Sequence, residues 1–355
     1  MNRVQLGRRW IGEKAPTYFV ADISANHDGD LNRAKLLIRL AKEAGADAAK
    51  FQNFRAEEIV SRHGFETLGK QLAHQASWKK SVCQVYQEAS LPWEWTKELK
   101  QECDQVGLEY FSAPYDLAAV DMLDPFVEVF KIGSGDITWV EMLEQVARKG
   151  KPVLLATGAS TLNDVQRAVE TILEINPHLV LMQCNTNYTG DPANFRHIHL
   201  NVLKTYRALF PDVLLGLSDH TPGHSTVLGA VALGACVIEK HFTDDTSREG
   251  PDHPFSMDPL TWKEMVICTR ELEAALGGES KTIEDNEQTS VIVQRRCLRA
   301  ALDIEPATVL SRQMIHVLRP APEEAIPPFE LSRVVGRRTR VKLCAGEHLT
   351  WSKIE

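Results

Sequence analysis

Eight short apolar runs, rich in β-branched and aromatic residues, recur along the first two thirds of the chain: TYFVADI (17–23), AAKFQNF (48–54), LEYFSAP (108–114), VEVFKIGSG (127–135), PVLLATG (152–158), LVLMQCN (179–185), VLLGLSD (213–219) and CVIEKHF (236–242). Their length and texture predict buried strands. Between most of them lie segments with helical period, such as LNRAKLLIRLAKEAGA after the first run, WTKELKQECDQVG before the third and TLNDVQRAVETILEIN after the fifth. Strands that are apolar almost throughout are buried on both faces, as in a parallel sheet covered by helices. Eight such units predict a (β/α)8 TIM barrel of the α/β class. A doubly wound open sheet is the alternative. It is disfavoured because no GxGxxG follows the first run, and because polar residues recur at every strand end rather than at one switch point.

After the eighth run, PLTWKEMVICTRELEAALGG reads as an amphipathic helix stopped by two glycines. GESKTIEDNEQTS, polar and acidic, reads as a linker. From Val291 the texture changes to short strands, turns and many prolines (RAALDIEPATVL, IHVLRPAPEEAIPPFEL, VVGRRTRVKLCAGEHL). The predicted organisation is a barrel domain over 1–278, a linker over 279–290 and a small β-rich domain over 291–355.

Composition narrows the function. A chain of 355 residues with 43% hydrophobic and 25% charged residues can bury one large core and one small one. No apolar stretch approaches the roughly 18 residues that span a bilayer, and MNRVQLGRRWIGEK lacks the apolar centre of a signal peptide, so the expectation is a cytoplasmic protein. Seven cysteines, scattered from Cys83 to Cys344 without a CxxC, predict neither a disulfide framework nor a thiolate metal site. Cys184 and Cys236, inside strands, read as core. A net charge of -8 without a long basic run argues against a nucleic-acid or membrane-surface partner and leaves small molecules.

In a barrel the C-terminal strand ends form one face, where residues distant in sequence converge. Here they carry Asp22, Asn26 and His27; Lys50 and Gln52; Ser112; Lys131, Ser134 and Asp136; Thr157; Asn185 and Tyr188; Ser218, Asp219 and His220; Glu239, Lys240 and His241. A lysine inside an apolar strand costs several kcal/mol unless an anion meets it. Two of them, Lys50 and Lys131, favour a phosphate or carboxylate ligand over a structural carboxylate for each. His220 and His241 end adjacent strands, where two imidazoles can share one borderline divalent cation of the Mn, Fe, Co or Zn type. Such a cation polarises a carbonyl. A lone histidine, by contrast, is ordinarily a hydrogen-bonded core residue.

The stretches ADISANHDGDLNRAKLLIRLAKEAGADAAKFQ, YFSAPYD, KIGSGD, ATGAS, GLSDHTPG, GAVALGACVIEKHFT and GPDHPFSMDP, in this order, resemble the sialic acid (N-acetylneuraminate) synthase family, the nonulosonate synthases. The resemblance spans nearly the whole chain. VLRPAPEEAIPPFEL resembles the arginine-proline segment of the antifreeze-like (SAF, β-clip) domain at the end of those enzymes.

The resemblance implies a transferase that condenses phosphoenolpyruvate with an open-chain N-acyl amino sugar, N-acetylmannosamine in the type reaction. The products are a nine-carbon 3-deoxy-2-keto acid and phosphate, released by C–O cleavage, for sialic acid or surface polysaccharide biosynthesis. It implies a divalent metal on His220 and His241, Mn²⁺ as a rule, with Mg²⁺ or Co²⁺ as substitutes. Lys50, Lys131, Ser134, Thr157, Asn185 and Ser218 become phosphoenolpyruvate contacts. Gln52, Asp136, Tyr188 and Asp252 become sugar contacts. Arg319 becomes a tail arginine that reaches into a neighbouring subunit and holds the N-acyl group, which implies a homodimer with exchanged tails. Asp22 takes the place of a glutamate that handles a water or hemiketal proton, one methylene shorter. Asp136 also replaces glutamate. Ala156 and Thr186 stand where serine and asparagine are expected, so Thr157 and Asn185 are the substitutes in the anion shell.

ISANHDG and YQEASLPWEW are also similar to the pseudaminic and legionaminic acid synthases, whose acceptors are 2,4-diacetamido-trideoxyhexoses, and that alternative stays open. Another metal-dependent phosphoenolpyruvate aldol synthase is a further alternative, disfavoured by the tail domain. A catalytically idle barrel is disfavoured by four costly groups on one face. Trp93 and Trp95 read as packing residues, and His224 and His253 as surface residues of loops.

Overall fold

The computed structural model describes residues 3–12 and 15–355. Two four-residue strands, β1 (Arg3–Leu6) and β2 (Arg9–Gly12), pair antiparallel around Gly7, whose φ of 56° lies in the left-handed region that glycine adopts without strain. Each of the eight predicted runs coincides with a barrel strand, the last beginning one residue earlier than its run: β3 (Tyr18–Asp22), β4 (Ala48–Asn53), β5 (Glu109–Pro114), β6 (Phe130–Ile132), β7 (Val153–Ala156), β8 (Leu179–Cys184), β9 (Leu214–Asp219) and β10 (Ala235–His241). They pair in parallel in chain order, and β10 returns to β3 to close the barrel.

Alternation along each strand divides the core in two. One parity faces the axis, where Tyr18, Val20, Ala48, Phe111, Leu154, Val180 and Val237 form an inner cluster. Val4, Leu6 and Ile11 of the hairpin join it and close the N-terminal end. The other parity faces outward, where Phe19, Ala21, Ala49, Phe51, Leu155, Leu181 and Leu217 meet the helices. Helix Leu31–Glu43 shows how they dock. Asp30 accepts from the backbone amides of Asn32 and Arg33, and Ala34, Leu37, Ile38 and Ala41 form the buried stripe. Burying one such leucine stabilises by about 1.5–3 kcal/mol. Helix Pro259–Leu276 begins with Asp258 capping and Pro259 in its first turn, and it ends at Gly277.

The chain divides after Gly277 into two compact units. In the second, β11 (Cys297–Ala300) pairs antiparallel with β12 (Ile315–Leu318), and Leu298, Ile304, Leu310, Ile326, Leu343 and Leu349 belong to a separate small core. Helix Gln288–Gln294 spans the boundary read between linker and β-rich domain at residue 290. All seven cysteines are free. Among the described residues no helix is long and apolar enough to cross a membrane.

Candidate active site

Parity decides which polar strand endings reach the cavity. On the inward parity stand Asp22, Lys50, Gln52, Lys131, Ala156, Cys184, Ser218, Glu239 and His241, and all of them line a cavity of about 380 Å³ with His220 and Ser134. Barrel register brings them level: Asp22 pairs with Lys50 on one side and His241 on the other, and Glu239 with Ser218.

The lysines are not left for a ligand alone, as the sequence suggested. Lys50 Nζ lies 2.6 Å from Asp22 Oδ2, and Lys131 Nζ donates to Glu239 Oε1 at 2.9 Å. Ser218 Oγ donates to the same Glu239 oxygen at 3.2 Å, and Lys50 lies 3.7 Å from it. Burial opposes the Glu239 carboxylate, but Lys131 and then Lys50 outweigh it and take its pKa down to about 2. Burial likewise opposes the Lys50 ammonium, but Asp22 and Glu239 outweigh it and hold its pKa above the ordinary lysine value. Lys50 is thus held charged beside the cavity before any ligand arrives, and Lys131 is ion-paired there with Glu239. Among the described residues, Asp22 Oδ1 and Glu239 Oε2 find no hydrogen-bond partner, so the paired carboxylates keep an acceptor each.

His220 and His241 come together, their ring centroids 5.3 Å apart. His220 Nδ1 lies 2.9 Å from the carbonyl oxygen of Asn185, a contact that only an Nδ1–H can make, so Nε2 carries the lone pair. Burial first, then the neighbouring His241, lowers the His220 pKa to about 3 and keeps the ring neutral. His241 Nε2 lies 3.4 Å from Asp22 Oδ2, and Nδ1, 3.8 Å from Asp252 Oδ2, has no hydrogen-bond partner among the described residues. Two adjacent imidazoles, with an open Nδ1 on His241 and the Nε2 lone pair of His220, next to unpaired carboxylate oxygens, fit a divalent cation. Among the described residues no three histidine, cysteine or acidic side chains converge as a ready metal cage, so water or substrate oxygens would complete such a site.

Of the expected sugar contacts, Gln52, Asp136, Tyr188 and Asp252 all line the cavity. Gln52 Nε2 reaches Asp22 Oδ2 at 3.4 Å. Desolvation raises the Asp136 pKa to about 6. The Tyr188 ring packs edge-on against His220 at 4.4 Å. Asp252 accepts from Ser24 Oγ at 2.5 Å, which places Ser24, absent from the sequence reading, in the site. Ser134 Oγ accepts from the Gly158 amide at 2.9 Å.

Two expected phosphoenolpyruvate contacts are corrected. Thr157 and Asn185 continue the outward parity of β7 and β8. Thr157 Oγ1 donates to the Met182 carbonyl and accepts from the Tyr206 hydroxyl, and Asn185 Nδ2 donates to the His197 carbonyl. Neither side chain lines the cavity. The same parity removes Lys240, which pairs with Asp219 at 2.5 Å in the outer layer, and Ser112, whose hydroxyl donates to Asn53. Arg319 belongs to the second compact unit. Glu239 was passed over as a site residue, although its spacing of two from His241 puts both on one face. His253 is corrected from surface to core: it is 0% exposed, with Nδ1 on Thr243 Oγ1 and Nε2 on Asp28 Oδ1.

A closed parallel barrel whose ionisable groups converge on one small-molecule cavity at the C-terminal face defines a barrel enzyme. Residues 37–281 match the NeuB family and residues 295–355 the SAF domain. The chain is 35% identical over 370 residues to the N,N'-diacetyllegionaminic acid synthase of Legionella pneumophila, covering 100% of this chain and 99% of that one. It is 32% identical over 334 residues to the N-acetylneuraminate-9-phosphate synthase of Homo sapiens, covering 94% and 91%. The crystal structure of N-acetylneuraminic acid (sialic acid) synthetase from Leptospira borgpetersenii superposes with a TM-score of 0.72 at 28% identity, covering 81% of this chain and 95% of that one. The chain belongs to the NeuB family. It is an enzyme of the N-acetylneuraminate synthase-like transferase kind, with a SAF domain after its barrel.

Proposed function

We propose that this enzyme condenses phosphoenolpyruvate with the open-chain form of an N-acyl amino sugar, giving a nonulosonic acid and inorganic phosphate. The observation that carries the reading is the pairing of Lys50 and Lys131 with Asp22 and Glu239 beside the His220–His241 pair. The two ammonium groups receive the carboxylate and phosphate of phosphoenolpyruvate, with Ser134 and Ser218 hydroxyls beside them. C3 of phosphoenolpyruvate attacks the aldehyde carbon, and the new C–C bond leaves C2 electron-poor. A divalent cation on His220 and His241, Mn²⁺ in preference to Mg²⁺ or Co²⁺, supplies polarisation of the aldehyde oxygen when bound. Water adds to C2 as Asp22 takes its proton, a proton reaches the former aldehyde oxygen to make the hydroxyl, and collapse of the adduct to the ketone breaks the bond from C2 to the bridging oxygen, which departs with phosphate together with the second water proton. Gln52, Asp136, Tyr188 and Asp252 hold the sugar. A homodimer, in which Arg319 of one subunit holds the acyl group bound to the other, completes the reading, with the product serving surface-polysaccharide synthesis in the cytoplasm.

The test is phosphate release from phosphoenolpyruvate carrying ¹⁸O at the bridging position, with N-acetylmannosamine and 2,4-diacetamido-trideoxyhexoses as acceptors. The expected result is acceptor-dependent release with the label in phosphate, lost on chelation and restored by Mn²⁺. Label retained in the keto acid, or release that needs no acceptor, overturns it.

A further inference from the structure

The excursion between β4 and β5 builds one side of the cavity from apolar and aromatic side chains. Phe54, Trp78, Val85 and Tyr86 of this segment face it, and Tyr115, just after β5, stands beside them. Their rings run in sequence from the histidine pair. Tyr188 lies on His220, His74 at 4.9 Å from Tyr188, Trp78 at 5.4 Å from His74, Tyr86 at 6.3 Å from Trp78, Phe54 at 5.6 Å from Tyr86 and Tyr115 at 5.9 Å from Phe54. An acceptor whose carbonyl sat at His220 and His241 would have this aromatic wall beside its remaining carbons.

Charge along the same wall is one-sided. Among the described residues the cavity is lined by four carboxyl side chains, Asp22, Asp136, Asp252 and Glu239, and by two cations, Lys50 and Lys131, both already ion-paired. The neighbouring cations do not line the wall: Arg55 pairs with Asp116, and Lys79 and Lys80 stand in solvent-exposed pairs with Glu249 and Glu88. Phosphoenolpyruvate takes up the two lysines. In the condensation reading Arg319 of the neighbouring subunit is taken up by the acyl group, so a second phosphate, on the acceptor, would have to desolvate against aromatic rings with Asp136 and Asp252 nearby, an arrangement that costs several kcal/mol without a cation of its own.

Resting on the condensation reading above, we infer that the acceptor is unphosphorylated and apolar at the end far from its carbonyl, carrying deoxy and acyl substituents against the wall of Phe54, Trp78, Val85, Tyr86 and Tyr115. An apolar pocket favours a deoxy over a hydroxylated analogue by on the order of 10- to 100-fold, and it rejects a buried charge more strongly.

The experiment compares kcat/KM for phosphate release from phosphoenolpyruvate, with Mn²⁺ present, for N-acetylmannosamine, its 6-phosphate and a 2,4-diacetamido-2,4,6-trideoxymannose. The expected order places the trideoxy sugar at least about 10-fold above N-acetylmannosamine, and the phosphorylated sugar at least about 1,000-fold below the trideoxy sugar. Trp78→Ala lowers the ratio between the first two by about 10-fold, and the wild-type ratios carry the test by themselves if that variant is unstable. Turnover of the 6-phosphate as fast as the others, or a preference for N-acetylmannosamine over the trideoxy sugar, overturns this inference and leaves the condensation standing. Phosphate release with none of the three overturns the condensation and this inference with it.

Discussion

Lys131 sits in the barrel wall with 4% of its surface exposed, and the Glu239 carboxylate 2.9 Å away is what lets an ammonium remain there. Glu239 also meets Ser218 and stands 3.7 Å from Lys50, so one of its oxygens pairs with Lys131 and adds to the Asp22 carboxylate that pairs with Lys50. Removing a single member of such a buried pair strands its partner's charge, which costs about 3 kcal/mol or more. Glu239→Gln is therefore expected to lower the urea midpoint at pH 7 by that equivalent. The gap should depend on pH. The folded pKa of Glu239, about 2, lies below the ordinary glutamate value, so its contribution is present above that ordinary value and is lost as pH falls toward about 2. Wild type and variant should converge on acidification from pH 5 to pH 2, as followed by urea unfolding at each pH. A gap that is constant across this range would remove Glu239 from its role as the counter-charge.

At the scale of elements, the loop after β10 is held as a strap. His253, fully buried, joins Thr243 Oγ1 at 2.8 Å to Asp28 Oδ1 at 2.9 Å, and Asp28 also meets Arg33 and Arg248. Arg33 in turn grips Asp244 through both of its terminal nitrogens. Asn26 Nδ2 donates to the Phe242 carbonyl and to Ser256 Oγ, tying the strap's two ends to the loop after β3. The strap carries Asp252 into the cavity and lays Phe255 on His241 at 4.8 Å. His253→Ala removes one hydrogen bond from Thr243 Oγ1 and one from Asp28 Oδ1, at a cost of about 1–2 kcal/mol because Asp28 keeps Arg33 and Arg248. Hydrogen exchange over 243–256 should quicken while the barrel strands keep their protection, and unchanged exchange there would show that the imidazole does not hold the strap. The barrel itself was legible because its strands are continuous apolar runs, a signal of composition. The hairpin of β1 and β2 was not, since two four-residue strands give too short a pattern, although Gly7 marked its turn. Thr157 and Asn185 lie outside the cavity for another reason. They stand in for their neighbours Ala156 and Thr186 in the family pattern, whereas alternation from Val153 and from Leu181 assigns them to the outer face, away from Lys131 and Glu239. His253 was out of reach, because its burial depends on the loop after β3, more than two hundred residues away in sequence.

For the whole molecule, the two compact units have separate apolar cores, one around the barrel and one within 298–354. Every residue from 274 to 290 is exposed, and Lys281 presents 87% of its side chain, with a 3.7 Å contact to Glu287 as its ion pair. A surface pair of that kind contributes little, about 0–1 kcal/mol, and does not hold the backbone closed to a protease. Proteolysis of a native chain begins where the backbone can be extended without opening a core, which this stretch satisfies and the barrel strands do not. Limited trypsin digestion is accordingly expected to cut first at Lys281, releasing a barrel fragment and a tail fragment that each resist further digestion, as mass spectrometry of the time course would record. The dense ion pairs and buried strands around Lys50, Lys131 and Lys240 should survive that first cut, since each lysine is at most 4% exposed. Early cleavage at any of those three lysines, ahead of Lys281, would mean that the barrel opens more readily than the connection, and that the charge pairs of the cavity are not a fixed part of the folded wall.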